Sequence, residues 1–226
     1  MDFYIKRMWQ IYAGLIAVIL LFFILLSAGV FGEMPSFEDL ENPKSNLASQ
    51  VISADGKVLG TYYIQNRSNI HFNELSPYLI QALIATEDAR FEKHAGIDYK
   101  ALLRVSAGVL TGRYAGGGST ITQQLAKNLF PRGQNLSTPA FVLKKFKEWV
   151  TAVKLERNYT KEEILAMYLN TVDFGSNAYG VKSAANTFFS KEPRELNAEE
   201  SALLIAIVNA PTRYSPVRNP ENALKR

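Results

Sequence analysis

Twenty-five residues separate Arg7 from Glu33, and none of them carries a charge. From Ile11 to Val30 the run is nearly continuous Leu, Ile, Val, Phe and Ala. A helix rising about 1.5 Å per residue crosses the hydrocarbon core of a bilayer in about 20 such residues. Trp9 and Tyr12 stand where an interfacial aromatic belt would fall. Lys6 and Arg7 precede the run, while Glu33, Glu38, Asp39 and Glu41 follow it. The positive-inside rule then predicts a cytoplasmic tail at 1–10, a single transmembrane helix at 11–31, and everything after residue 32 outside. A buried core helix is a poor alternative at this length and purity. A cleaved signal peptide is a better one, because Ser27-Ala28-Gly29 offers a small-residue cleavage site. Signal peptides use a shorter apolar region, about 7–15 residues, which favours an uncleaved anchor.

The remainder of the 226 residues suffices for one sizeable domain. Cysteine is absent, which excludes disulfides and thiolate metal sites. A net charge of +4 favours an anionic membrane surface or substrate, and tethering outside the membrane argues against nucleic acid. Residues 32–49 read as a polar linker. An Asp55-Gly56 turn between two short apolar runs predicts a small hairpin. Beyond it the helical period dominates. Helices are expected over Pro77 to about His94, with Leu79, Ala82, Leu83 and Thr86 inward, and over Phe141–Arg157. Another should follow a capping box at Thr160-Lys161-Glu162-Glu163, and a buried one should span Asn197–Asn209. Tyr99–Leu110 is apolar with Arg104 its only charge apart from Lys100, and reads either as core or as a segment entering the outer leaflet. The fold class is therefore mainly α with one minor hairpin.

The stretch Gly116-Gly117-Gly118-Ser119-Thr120-Ile121-Thr122-Gln123-Gln124-Leu125-Ala126-Lys127-Asn128 carries the strongest local signal. Glycines free the loop, and Ser119 suits a helix N-cap. Exposed N–H groups in the first turn would form an anion site. At about 100° per residue, Ser119, Thr120, Gln123, Gln124, Lys127 and Asn128 share one half of the cylinder. That half holds neutral donors and one cation, unlike the mixed charges of an ordinary solvent face. The final Gly-Lys-Ser/Thr of a nucleotide phosphate loop is missing.

Upstream, Glu87-Asp88-Ala89-Arg90-Phe91-Glu92-Lys93-His94-Ala95-Gly96 ends an apolar helix face in two acids. A carboxylate drawn from water there becomes a usable general base. Glu-Asp-x-x-Phe-x-x-His-x-Gly, followed by Gly-Gly-Ser-Thr-Ile-Thr-Gln-Gln-Leu-x-Lys-Asn, closely resembles the peptidoglycan glycosyltransferases. These form the N-terminal module of class A, bifunctional penicillin-binding proteins and also occur as monofunctional enzymes. Lys144-Lys145-Phe146-Lys147-Glu148 fits the third family motif, Lys161–Asn170 the fourth, and Ala202–Pro220 the last. The likeness covers about residues 45–226, and the domain is assigned to 50–226.

The resemblance implies a lysozyme-like, mainly α domain that polymerises lipid II in bacterial cell wall synthesis. The acceptor's sugar 4-hydroxyl would attack a glycan chain held on polyprenyl pyrophosphate, inverting an α-linkage to a β-1,4 bond. Glu87 would be the base and Glu148 the second carboxylate, both assigned as catalytic. Glu148 would hold the donor or its basic partners, or simply pair with Lys144. Lys127, Ser119, Lys144 and Lys145 would stabilise the departing pyrophosphate; Thr122, Gln123, Gln124 and Asn128 would position sugar and phosphate oxygens. Asp88 and Phe91 are assigned beside Glu87 at the substrate, though with His94 they fit shaping the helix end better. His71 reads as a surface residue. No cofactor is obligatory and no protein metal site is expected, although a divalent cation at the pyrophosphate is compatible with the chemistry. Expected partners are lipid II, the lipid-linked glycan chain, the membrane and other cell wall synthesis proteins. The expected location is the bacterial inner membrane, with the catalytic domain periplasmic.

Three departures from the family pattern stand out: Lys144 for Arg, Ala166 for Glu, and Asn209 for Lys. Two other readings compete. One is a lysozyme-like lytic enzyme acting on the same polymer; the other is an inactive, tethered binding module. The transpeptidase patterns Ser-x-x-Lys and Lys-Thr-Gly do not occur. Lys225-Arg226 falls in what reads as the start of another helix, so the expectation is a piece of a longer bifunctional protein.

Overall fold

In the computed structural model the charge-free run lies in helix α1, Asp2–Ser27. The helix begins nine residues before the expected span, because Lys6 and Arg7 are themselves good helix formers. Its Phe3–Ser27 portion, 25 residues of mean hydropathy 2.5 and 6% buried, is long and apolar enough to cross a membrane. The described residues are 2–32, 34, 49–52, 58–62, 70–113, 116–130 and 137–226. Strands β1 (Ser49–Ile52) and β2 (Val58–Tyr62) pair antiparallel, with Gln50 opposite Thr61. The Asp55-Gly56 turn and nearly all of the expected linker fall outside the described residues.

Helix α2 (Pro77–Glu87) opens with Pro at its first position, where a missing N–H costs nothing. It stops at Glu87 rather than near His94. Asp88 leaves the helical conformation, φ −157° and ψ 72°, and Phe91–Lys93 forms a separate 3-10 turn. That break swings the Asp88 side chain toward another helix, which a continued α2 would forbid. Leu79 and Leu83 face the core as expected; Thr86 is exposed.

Helix α3 (Tyr99–Leu110) is capped by Asp98, whose carboxylate accepts from the N–H groups of Lys100 and Ala101. Its only buried residue is Gly108, while Tyr99, Leu103, Val109 and Leu110 are exposed. Of the two expectations for this stretch, core packing is thus the one that fails.

Helix α4 (Ile121–Leu129) lies against both α5 (Thr138–Asn158) and α6 (Lys161–Thr171). Thr160 and Glu163 form the expected capping box at the start of α6. Helix α7 (Val181–Phe189) follows, then α8 (Ala198–Asn209), which packs along α2, and α9 (Pro220–Lys225). Ile121, Leu125, Leu155, Ile164, Tyr168, Leu83 and Leu204 are fully buried in one core. Each large apolar side chain so buried contributes about 1.5–3 kcal/mol, so the α2–α4–α6–α8 centre is a rigid base for whatever lines its surface.

Two contacts tie other pieces to α5. Phe22 and Phe23 of α1 meet Phe146 edge-on at 5.4 and 5.6 Å, and Lys147 donates to the Gly32 carbonyl at 3.0 Å. Gly96 presses on α5 from the loop after α2. With φ +91°, an added Cβ would stand 2.9 Å from the Ala152 carbonyl carbon and oxygen. Gly96→Ala should therefore destabilise the protein by about 2–4 kcal/mol, combining left-handed strain with a backbone clash. Denaturant unfolding will measure this; an unchanged midpoint would refute the close approach.

Candidate active site

The end of α2, the glycine loop, α4, and one face of α5 surround a cleft of about 1080 Å³. Its walls include Glu87, Asp88, Ser119, Gln123, Gln124, Lys127, Asn128, Lys145 and Glu148. Sequence distance between them is large; the fold brings them together because α4 is clamped at its N-terminus.

That clamp differs from the expectation. The N-cap is Thr120, not Ser119. Thr120 Oγ1 accepts from the Gln123 N–H at 3.1 Å, and Gln123 Oε1 accepts from the Thr120 N–H at 3.3 Å. A Thr-x-x-Gln capping box satisfies two donors at once, which Ser119 one residue earlier could not match. Thr120 also donates its hydroxyl to the Gly96 carbonyl at 2.7 Å. The expected open anion site in the first turn is already filled: Asp88 Oδ2 accepts from the Ile121 N–H at 3.1 Å. Both Asp88 oxygens also lie 3.0–3.1 Å from His94 Nε2. The anion at the positive end of α4 is thus the protein's own carboxylate. Asp88, assigned to substrate, lines the cleft and pins the α2 break to α4.

Glu87 sits half-buried beside this pin. Its Oε2 accepts from Gln124 Nε2 at 2.9 Å, and Gln124 Oε1 accepts from the Tyr168 hydroxyl at 3.0 Å. Across the cleft, Lys145 Nζ donates to Ser119 Oγ at 2.9 Å and pairs with Glu148 at 3.2 Å. Glu148 is buried at 6% side-chain exposure and pairs with Lys145, three residues before it, one of the basic residues of its own motif. Lys127 is exposed on the cleft wall.

Three assigned residues fall elsewhere. Thr122 is fully buried and donates to Glu156 at 2.6 Å. Phe91 is fully buried, with the Lys161 ammonium 4.2 Å above its ring centre. Lys144 is half-buried and does not line the cleft. Thr122 lies outside the half of α4 that Ser119, Thr120, Gln123, Gln124, Lys127 and Asn128 share, and its own face turns it into the protein. Gln123 does reach the cleft wall, but its oxygen is engaged in the cap.

Sequence reasoning missed several neighbours. Arg104 lines the cleft and donates from Nη2 to the Gly117 carbonyl at 3.0 Å, holding the glycine loop. A lone guanidinium in an apolar helix was the signal. Asp98 also lines the cleft. Burial works to raise its pKa, yet the Ala101 N–H, the Arg90 guanidinium 3.1 Å away and the Lys100 N–H hold it below the ordinary carboxylate value. Lys161 donates to the His94 carbonyl at 2.7 Å and pairs with Glu156, bracing the loop behind Asp88. Asn209, at the end of α8, lies on the rim, whereas Ala166 is buried in α6. Among the described residues, no group of three or more His, Asp or Glu gathers to hold a metal.

A half-buried carboxylate sharing one cleft with two lysines, in a helical domain that follows an apolar N-terminal helix, is the arrangement of a transglycosylase domain. The chain belongs to the transglycosylase family, whose family model matches residues 55–226. Penicillin-binding protein 1A of Aquifex aeolicus is 38% identical over 223 residues, 97% of this chain and 30% of that protein. Penicillin-binding protein 1F of Bacillus subtilis is 41% identical over 180 residues, 79% of this chain and 24% of its own. Penicillin-binding protein 1A of Pseudomonas aeruginosa is 34% identical over 223 residues, 98% and 26%. The chain thus spans less than a third of the length of these relatives.

Proposed function

We propose that this chain polymerises lipid II into β-1,4 glycan strands by inverting transfer from a polyprenyl-pyrophosphate-linked chain. The observation that carries this is a cleft lined by Glu87, Lys127 and the Lys145–Ser119 pair together. Glu87 takes the proton of the acceptor's 4-hydroxyl as the oxygen attacks the anomeric carbon. The bond to pyrophosphate breaks, and its charge is met by Lys145, Lys127 and the Ser119 hydroxyl. A diphosphate leaves as a stable anion and needs cations more than a proton donor. A glycosidase must protonate its leaving alcohol with a carboxylic acid. Here the second carboxylate, Glu148, faces an ammonium instead. Asn128 contributes polar groups for sugar and phosphate oxygens, while Gln124 is engaged by Glu87 and Tyr168.

In this reading 11–31 anchors the chain in the bacterial inner membrane, 1–10 stays cytoplasmic, and 50–226 works in the periplasm as part of a larger bifunctional protein. The exposed apolar residues Leu103, Val109 and Leu110 of α3 support a domain seated on the outer leaflet, where the lipid-borne substrate resides. Purified protein given labelled lipid II should yield polymer that lysozyme digests. Release of fragments from preformed glycan, with no polymer from lipid II, would point to a lytic enzyme instead.

A further inference from the structure

Tyr168 reaches the site by one atom. Its ring is fully buried in the core and belongs to α6, behind α4 as seen from the cleft. Its hydroxyl is linked to Glu87 through Gln124. A primary amide is a donor at one end and an acceptor at the other, so its two neighbours jointly select its orientation. An ionised Glu87 accepts only from the NH2 end. The Gln124 carbonyl oxygen must then face Tyr168, and the phenol must donate. Turned over, the amide would set its oxygen against the Glu87 carboxylate. Burial, and then the charge of Glu87, push the Tyr168 hydroxyl far above its ordinary range, so it stays a donor throughout the working pH range.

We infer that Tyr168 is a positioning residue for glycosyl transfer: through Gln124 it fixes the Glu87 carboxylate so that one oxygen is held and the other is aimed at the incoming hydroxyl. Gln124 occupies Oε2, so the substrate proton passes to Oε1, while the amide and phenol keep their own protons. The inference rests on the proposed polymerase activity. It adds a residue that never touches substrate and that no motif of polar surface residues would disclose.

The test uses the full chain in lipid vesicles, turning over lipid II. Tyr168→Phe keeps the ring and removes one oxygen. It should lower kcat about tenfold with KM within about twofold, the loss expected for one hydrogen bond acting through a second. Gln124→Met, which keeps length and removes both polar ends, should lower kcat at least as much. In that background Tyr168→Phe should have no further effect, since the path from phenol to carboxylate is already cut. A role in packing alone predicts instead a lowered melting temperature, wild-type kcat, and independent losses in the double variant. Wild-type kcat in Tyr168→Phe, or losses that multiply in the double variant, overturns the inference. Should Tyr168→Phe not fold, Gln124→Met decides by itself: unchanged kcat, or a loss confined to KM, overturns it. Failure of the unaltered protein to polymerise lipid II would overturn the functional reading first, and is seen before any variant is compared.

Discussion

Replacing Glu87 with Gln should reduce lipid II polymerisation about 10³-fold while leaving substrate binding within a few-fold of wild type. The substitution preserves shape and the contact with Gln124, since the new amide can present its oxygen to Gln124 Nε2. What disappears is the capacity to accept a proton. Asp88, the adjacent carboxylate, cannot replace it. Its oxygens are directed to the Ile121 N–H and His94, so moving it would release the start of α4. Initial rates with fluorescent lipid II, combined with equilibrium binding of a non-reactive analogue, separate the two effects. Near-normal rates would assign the proton transfer to another group and remove the centre of the mechanism.

Lys145→Ala should be the next most damaging change, costing about 10²-fold in kcat/KM. The ammonium joins the glycine loop to α5, donating to Ser119 while balancing Glu148. Its loss removes positive charge where the leaving diphosphate accumulates its own, and frees the loop from the helix. Lys145→Arg keeps the charge and should retain most of the rate. Lys144→Ala provides the contrast. That side chain does not line the cleft, and its removal should cost less than about threefold. Equal losses at 144 and 145 would show that net charge on α5, rather than the placement of one ammonium, governs turnover.

The parts of the fold legible in the sequence were those set by local chemistry. A long charge-free run makes an apolar helix, and Thr160 with Glu163 makes a capping box, whatever surrounds them. That the end of α2 and α4 share one cleft was legible only through the succession of motifs that resemble a family, since acids at a helix end and a polar helix face are each weak signals alone. Contacts between distant segments were not. Ser119 and Thr120 are both good caps, and only the Gly96 carbonyl and the Gln123 side chain decide between them. Glu148 has basic residues at both three and four positions before it, and periodicity cannot say which one turns toward the cleft. Tyr168 falls within the Lys161–Asn170 motif, but nothing in the spacing says that its hydroxyl reaches Gln124.

The carboxylate that Asp88 places on the first turn of α4 has a consequence for release. A helix end is a fixed array of dipoles; it can attract an anion but cannot follow one. With that array already occupied, the diphosphate proposed to leave through the cleft meets side chains instead, among them the Ser119 hydroxyl, Lys145 and the exposed Lys127. Of these, Lys127 can swing outward with a departing lipid carrier and return empty. A polymerase that must discharge one carrier for every sugar pair added has reason to keep its stationary charge for itself and lend only what moves.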